Sequence, residues 1–204
     1  MNEYSLFTEP TVIEVQDIHS SWIQEMPNGE LIGKLRKVPS AQKPLNDFIK
    51  KYIYLDDTDI ADELAKKIQQ THPEKLNEVV LKIGATLLSN SIRQTITKKD
   101  VIQIKDSLGY DLYDFSVRKA PFLYSSLEVS DSYCFDQNST PLSSVISLGY
   151  RSLRLALGST DSSCIYKLPK EWDIGYSNNT HLDRNESNNV IFHKKLVAKV
   201  LNET

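Results

Sequence analysis

Cysteine is nearly missing from this chain: Cys134 and Cys164 are the only two among 204 residues, and neither has a CxxC companion. So sparse a supply excludes a cysteine-rich zinc module and fits reduced thiols better than a disulfide framework. Long apolar runs are missing too, since no stretch approaches the roughly 20 apolar residues that cross a bilayer. The first ten residues carry acids and polar groups where a secretory leader needs basic residues and then an apolar run. A cytoplasmic protein is expected, one that meets a membrane only through partners. The seven glycines are scattered with neither GxGxxG nor GxxxxGK among them, which removes the backbone cradle of an ATPase or a dehydrogenase. Positive charge is not in surplus either. Lys and Arg number 24 against 27 Asp and Glu, a net charge of −3, and this argues against nucleic acid as a partner, because that binding draws on clustered cations.

Catalytic patterns are equally thin. His19, His72, His181 and His193 have no i, i+4 partner and no cysteine nearby, so zinc-ligand spacing is absent and they read as surface or capping residues. No serine sits in a GxSxG setting, and no triad can be assigned. The expectation is a non-enzymatic protein with no metal and no cofactor.

What the chain does have is helical periodicity. With 40% hydrophobic and 25% charged residues it has an ordinary globular composition and enough length for a substantial core. Residues 1–40 show no sustained period, and we read them as an irregular N-terminal arm with a short strand at 11–15 and a turn at Asn28 and Gly29. Residues 41–204 read as an all-α body, a compact single-domain helical bundle. Behind Pro44, the residues Leu45, Phe48, Ile49, Tyr52 and Ile53 fall on one stripe. Thr58 is placed to cap a second helix carrying Ile60, Ala61, Leu64, Ala65 and Ile68. Pro73 opens a third, with Leu76, Val79, Val80, Ile83, Gly84, Leu87 and Leu88 on one face, and Gly84 there predicts close approach by another helix. Thr97 and Asp100 resemble a capping box ahead of Lys98–Leu108, which Gly109 ends. Pro121 predicts a change of direction after a helix from Tyr110, and residues 125–140 read as a loop or a short helical fragment. Pro141 begins a stripe of Leu142, Val145, Ile146, Gly149, Leu153, Ala156 and Leu157, and an Asn-rich loop at 172–189 precedes a last helix from Val190.

Three features are candidates for contact with a partner. Asp56, Asp57, Asp59, Asp62 and Glu63 form the densest acidic cluster; it lacks the glycine and distal glutamate of a calcium loop, and reads as a solvated helix start able to meet a basic partner. Trp22 and Trp172, with Tyr54 and Tyr176, lie outside the cleanest stripes and suit either the core or an interface. Residues 89–108 also allow a helix-turn-helix reading, although Asp100 and Asp106 among Lys98, Lys99 and Lys105 make a poor surface for reading bases.

The run Val-Leu-Lys-Ile-Gly-Ala-Thr-Leu-Leu-Ser-Asn-Ser-Ile-Arg at 80–93, the Leu108-Gly109 pair and the stop from Arg118 to Pro121 resemble the central region of the SctK family of type III secretion systems, the YscK, PscK, OrgA and MxiK-type proteins. Phe7, Pro10, Ile18-His19 and Pro27 are similar to that family's opening, and Leu168-Pro169 to a late pair of some members. The resemblance implies a cytoplasmic adaptor of the sorting platform at the inner membrane of a Gram-negative bacterium. Its partners would be the cytosolic domain of the SctD-type ring protein and the SctQ-type pod protein, with SctL and the ATPase reached indirectly. The alternatives are a helical DNA-binding regulator and a secretion chaperone, the latter disfavoured by the weak strand signal.

Overall fold

Pro73 and Pro141 open the two helices that organise the molecule, because a missing N–H costs nothing in a first helical turn. The computed structural model describes residues 17–53, 62–127, 133–136, 138–158, 163–173 and 190–204. Their helices are α1 Ser20–Gln24, α2 Gly29–Leu35, α3 Gln42–Ile53, α4 Glu63–Gln70, α5 Pro73–Leu87, α6 Ser89–Gln94, α7 Lys98–Leu108, α8 Tyr110–Arg118, α9 Ala120–Ser125, α10 Pro141–Leu157 and α11 Val190–Glu203. Single 3-10 turns lie at Pro39–Ala41 and Ser163–Lys167, and no strand occurs among the described residues. The fold is all-α, as the periodicity predicts.

Helices α5 and α10 cross at two glycines. A Cβ on Gly84 would lie 1.9 Å from the carbonyl oxygen of Val145, and one on Gly149 would lie 2.0 Å from that of Val80. Each helix thus presses its backbone into the bare position of the other, which is the close approach that Gly84 on an apolar stripe predicts. Around this crossing Leu76, Val79, Val80, Ile83, Leu153, Leu196, Val197 and Val200 are buried and pack α5, α10 and α11 into the main core. Behind it, Leu88, Ile92, Ile104, Leu108 and Phe115 join α6, α7 and α8 in a second cluster that includes Val145.

Most local signals hold. Thr97 Oγ1 accepts from the Asp100 amide at 3.2 Å and also donates to its carboxylate, so the box closes through the hydroxyl at the start of α7. Gly109 takes φ 77°, a value that favours glycine, and it separates α7 from α8. Cys134 and Cys164 are free.

Three readings need correction. The described part of the N-terminal arm is helical: α1 and α2 flank a turn whose Asn28 has φ 62°, and Ile18, Ile23, Met26 and Ile32 are buried with Leu45 and Ile49 of α3 in a satellite core. Two short helices broken by a turn carry no common 3.6-residue period, which is the reason the sequence pattern is irregular. Secondly, the α3 stripe is only half covered, since Leu45 and Ile49 are buried while Phe48 and Tyr52 remain 45% and 47% exposed. Thirdly, His193 is buried in the core rather than at the surface. The suggested strand at 11–15, the cap Thr58 and nearly all of the Asn-rich loop lie outside the described residues; the cap that the structure shows for α4 is Asp62.

Candidate functional site

Of the predicted acidic cluster Asp62 and the exposed Glu63 lie within the described residues; Asp56, Asp57 and Asp59 lie outside them, as do Tyr54 and Tyr176. Oδ1 of Asp62 accepts from the Leu64 amide at 2.9 Å and caps α4, while Oδ2 pairs with Lys194 of α11. The hydrogen bond from Lys194 is the main reason its carboxyl is held below the usual range; that from the Leu64 amide adds to it. Asp62 therefore ties two helices together, and half of its capacity is already used inside the molecule.

Trp22 is similarly engaged. Its Nε1–H donates to the Leu168 carbonyl at 2.8 Å, its ring meets Tyr166 edge-on at 4.9 Å, and Lys170 lies over it at 5.5 Å. Ser21 Oγ accepts from the Lys170 amide at 2.9 Å, and the His19 amide donates to the Tyr166 carbonyl at 2.8 Å. These bonds fasten α1 to residues 163–173, and Trp22 packs against both the main core and the satellite core. Trp172 packs half-buried against the main core alone, so of the two tryptophans it is Trp22 that serves the seam between these parts. Trp22→Phe keeps the ring contact and loses the donor, and should cost about 1–2 kcal/mol in a urea titration with helix content unchanged. No loss at all would mean that the seam is not held by this bond.

Two buried polar arrangements escaped the sequence reading. Ser152 Oγ on α10 and His193 Nδ1 on α11 are 2.8 Å apart with both residues under 5% exposed. Burial first, and the Arg151 charge second, push the imidazole down to about 4. A serine beside a base is the beginning of a nucleophilic pair, but here both members are walled into the core and hold α10 to α11. Lys167, 2% exposed, donates to the carbonyls of Gln69 and Thr71, satisfying the C-terminal end of α4, and lies 3.4 Å from Asp17. Neither pairing is visible without knowing which helices adjoin. Among the described residues no group of three His, Cys, Asp or Glu could hold a metal ion, and no helix is long and apolar enough to cross a membrane.

Apart from Ile191 of α11, 66% exposed, the large exposed apolar residues among the described ones fall in two regions. One belongs to the satellite core: Leu31, Val38, Phe48 and Tyr52 are 41–55% exposed, and the rings of Phe48 and Tyr52 stack at 6.3 Å. Lys34, Lys37, Lys43 and Lys51 are exposed in the same segment. The other region comprises Ile96 at 94%, Ile102, Tyr110 and Phe122 at 77%, on the segments that carry α6 to α9, where acids and bases alternate. A charge count over 34–51 would have found the first region; the second needed the tertiary burial.

No protein-family model, no curated protein and no solved structure matches this chain.

Proposed function

We propose that this chain is a non-enzymatic adaptor of a type III secretion sorting platform, an SctK-type protein that works in the cytoplasm at the inner membrane and links the cytosolic domain of the SctD-type ring protein to the SctQ-type pod protein. The observation that carries this reading is the presence of two separate exposed apolar regions, one on the satellite core around α3 and one on α6 to α9. A linker needs two such faces, and exposed aromatic and branched side chains are the usual anchors of protein interfaces. The residues that carry the family resemblance lend further support, because Gly84 lies at the α5–α10 crossing, Leu108-Gly109 at the α7–α8 junction and Pro121 in the first turn of α9. They are residues on which a shared architecture would depend.

The regulator reading is not favoured: the outward positions of α7 include Ile102, Asp100 and Asp106 beside Lys98, Lys99 and Lys105, so the two acids offset most of the attraction that the three lysines would have for phosphate. The test is affinity capture of the tagged chain from a secretion-competent bacterium. Ring and pod proteins should both be recovered, and Ile96→Asp with Phe122→Asp should lose one of them while the melting temperature stays within a few degrees. Recovery of neither protein rejects the adaptor role.

A further inference from the structure

The apolar interior is divided at the N-terminal helices. Among the described residues Ile18, Ile23, Met26, Ile32, Leu45 and Ile49 pack as a core of their own, which shares Trp22 with the main core and is flanked by Tyr166. Helices α1, α2 and α3 pack chiefly on one another, and none of them lies along a helix of the body, where α5, α10 and α11 pack mutually. Polar contacts between the two parts converge on residues 166–170. The His19 amide donates to the Tyr166 carbonyl, the Trp22 indole to the Leu168 carbonyl and the Lys170 amide to Ser21, while the Lys170 ammonium pairs with Glu25 and that of Lys167 with Asp17. This stretch is anchored to the body without α1: Cys164, Ile165 and Leu168 are buried in the main core, and Lys167 donates to the carbonyls of Gln69 and Thr71.

We propose that residues 17–53 are a latch, which undocks from 163–173 as one unit while α4 to α11 remain folded. Two properties of the seam carry this inference. Withdrawal of α1 strands no buried charge, because Lys167 keeps two carbonyl acceptors when Asp17 leaves, and the side chains of Lys170 and Glu25 already reach solvent. The bonds lost at the seam are exchanged for bonds to water, so each resists opening only by its small net worth. The second property is size. A segment below roughly 40 residues seldom holds a fold without a disulfide or a metal, and this one has six buried apolar side chains and neither cysteine. Undocking and the loss of α1 to α3 are therefore one event, a local unfolding that spares the main core. A partner that binds α1 to α3 in their folded form favours the docked state, and one that takes the bared seam favours the other. The latch stands independently of the adaptor reading.

Hydrogen exchange of the purified full-length chain at neutral pH, followed peptide by peptide in a mass spectrometer, tests it. The hydrogen-bonded amides of α1, α2 and α3 should share one protection, at least tenfold below that of the slowest amides of α5, α10 and α11. Two variants separate the latch from unfolding of the whole chain. Val197, fully buried in the main core, contributes equally whether the latch is docked or not, so Val197→Ala should speed the slowest amides of α5 and α10 at least tenfold and leave those of 17–53 unchanged. Trp22→Phe removes a bond that exists only when the latch is docked, and should speed exchange in 17–53 about fivefold or more. Equal protection in the two parts, acceleration of both by Val197→Ala, or no response of 17–53 to Trp22→Phe would each overturn the proposal.

Discussion

Gly84→Ala and Gly149→Ala are each expected to destabilise the fold by about 3 kcal/mol or more, which for a chain of this size lowers the melting temperature by about 10 °C. Helix propensity alone points the other way, since alanine is favoured over glycine by about 1 kcal/mol in a helix interior. Packing outweighs it because the obstacle is rigid. The new methyl would meet backbone carbonyls, Val145 at 1.9 Å and Val80 at 2.0 Å, and no rotamer can move these aside. The helices would have to separate, opening gaps among Leu76, Val79, Ile83 and Leu153, all of which are fully buried. Gly33→Ala in α2 is the matched control: nothing lies within 4 Å of its added Cβ, so that change should be neutral or stabilise by up to about 1 kcal/mol. Thermal melts of the three variants settle the matter, and equal melting temperatures would mean that α5 and α10 do not cross as described.

Acid should weaken the protein through His193. Its neutral ring is buried against Ser152, and the imidazole is pushed down from 6.5 to about 4. The unfolded chain takes up a proton as the pH falls below about 6.5 and the folded chain does not until about 4, so stability is fully present above the higher value and is lost as pH falls toward the lower one. The contribution is on the order of 3 kcal/mol between pH 7 and pH 4. His193→Leu should flatten this dependence, because Ser152 can then turn its hydroxyl to a carbonyl one turn back in α10. Asp62, with its lowered carboxyl, acts in the same direction, its contribution being present above the ordinary carboxylate range and lost only at more acid pH. Urea midpoints of wild type and His193→Leu at pH 7, 5.5 and 4.5 separate the two groups: a difference that grows in favour of the variant as pH falls is the expected result, and parallel curves would remove His193 as the cause.

Much of the helical framework is legible because its signals are local. A proline in the first turn, the Thr97–Asp100 cap and Gly109 act over three or four residues, and the stripes of α5 and α10 repeat often enough to reveal their period. The candidate site is a harder case. Tryptophan's indole serves a buried seam as readily as a partner, and only the adjacency of Leu168 shows that Trp22 has an internal acceptor. Phe48 and Tyr52 share a stripe with Leu45 and Ile49, so periodicity alone assigns all four to the core. Whether a neighbouring helix extends far enough to cover them is a property of the packing.

An all-α chain with two glycine-bearing apolar helices and caps at defined places follows from the amino-acid order alone, because propensity, capping and periodicity are short-range effects. Which face of α3 stays open, which histidine loses its water, and which lysine ends α4 from ninety-eight positions away along the chain were decided by tertiary structure, since burial and long-range pairing depend on which surfaces meet.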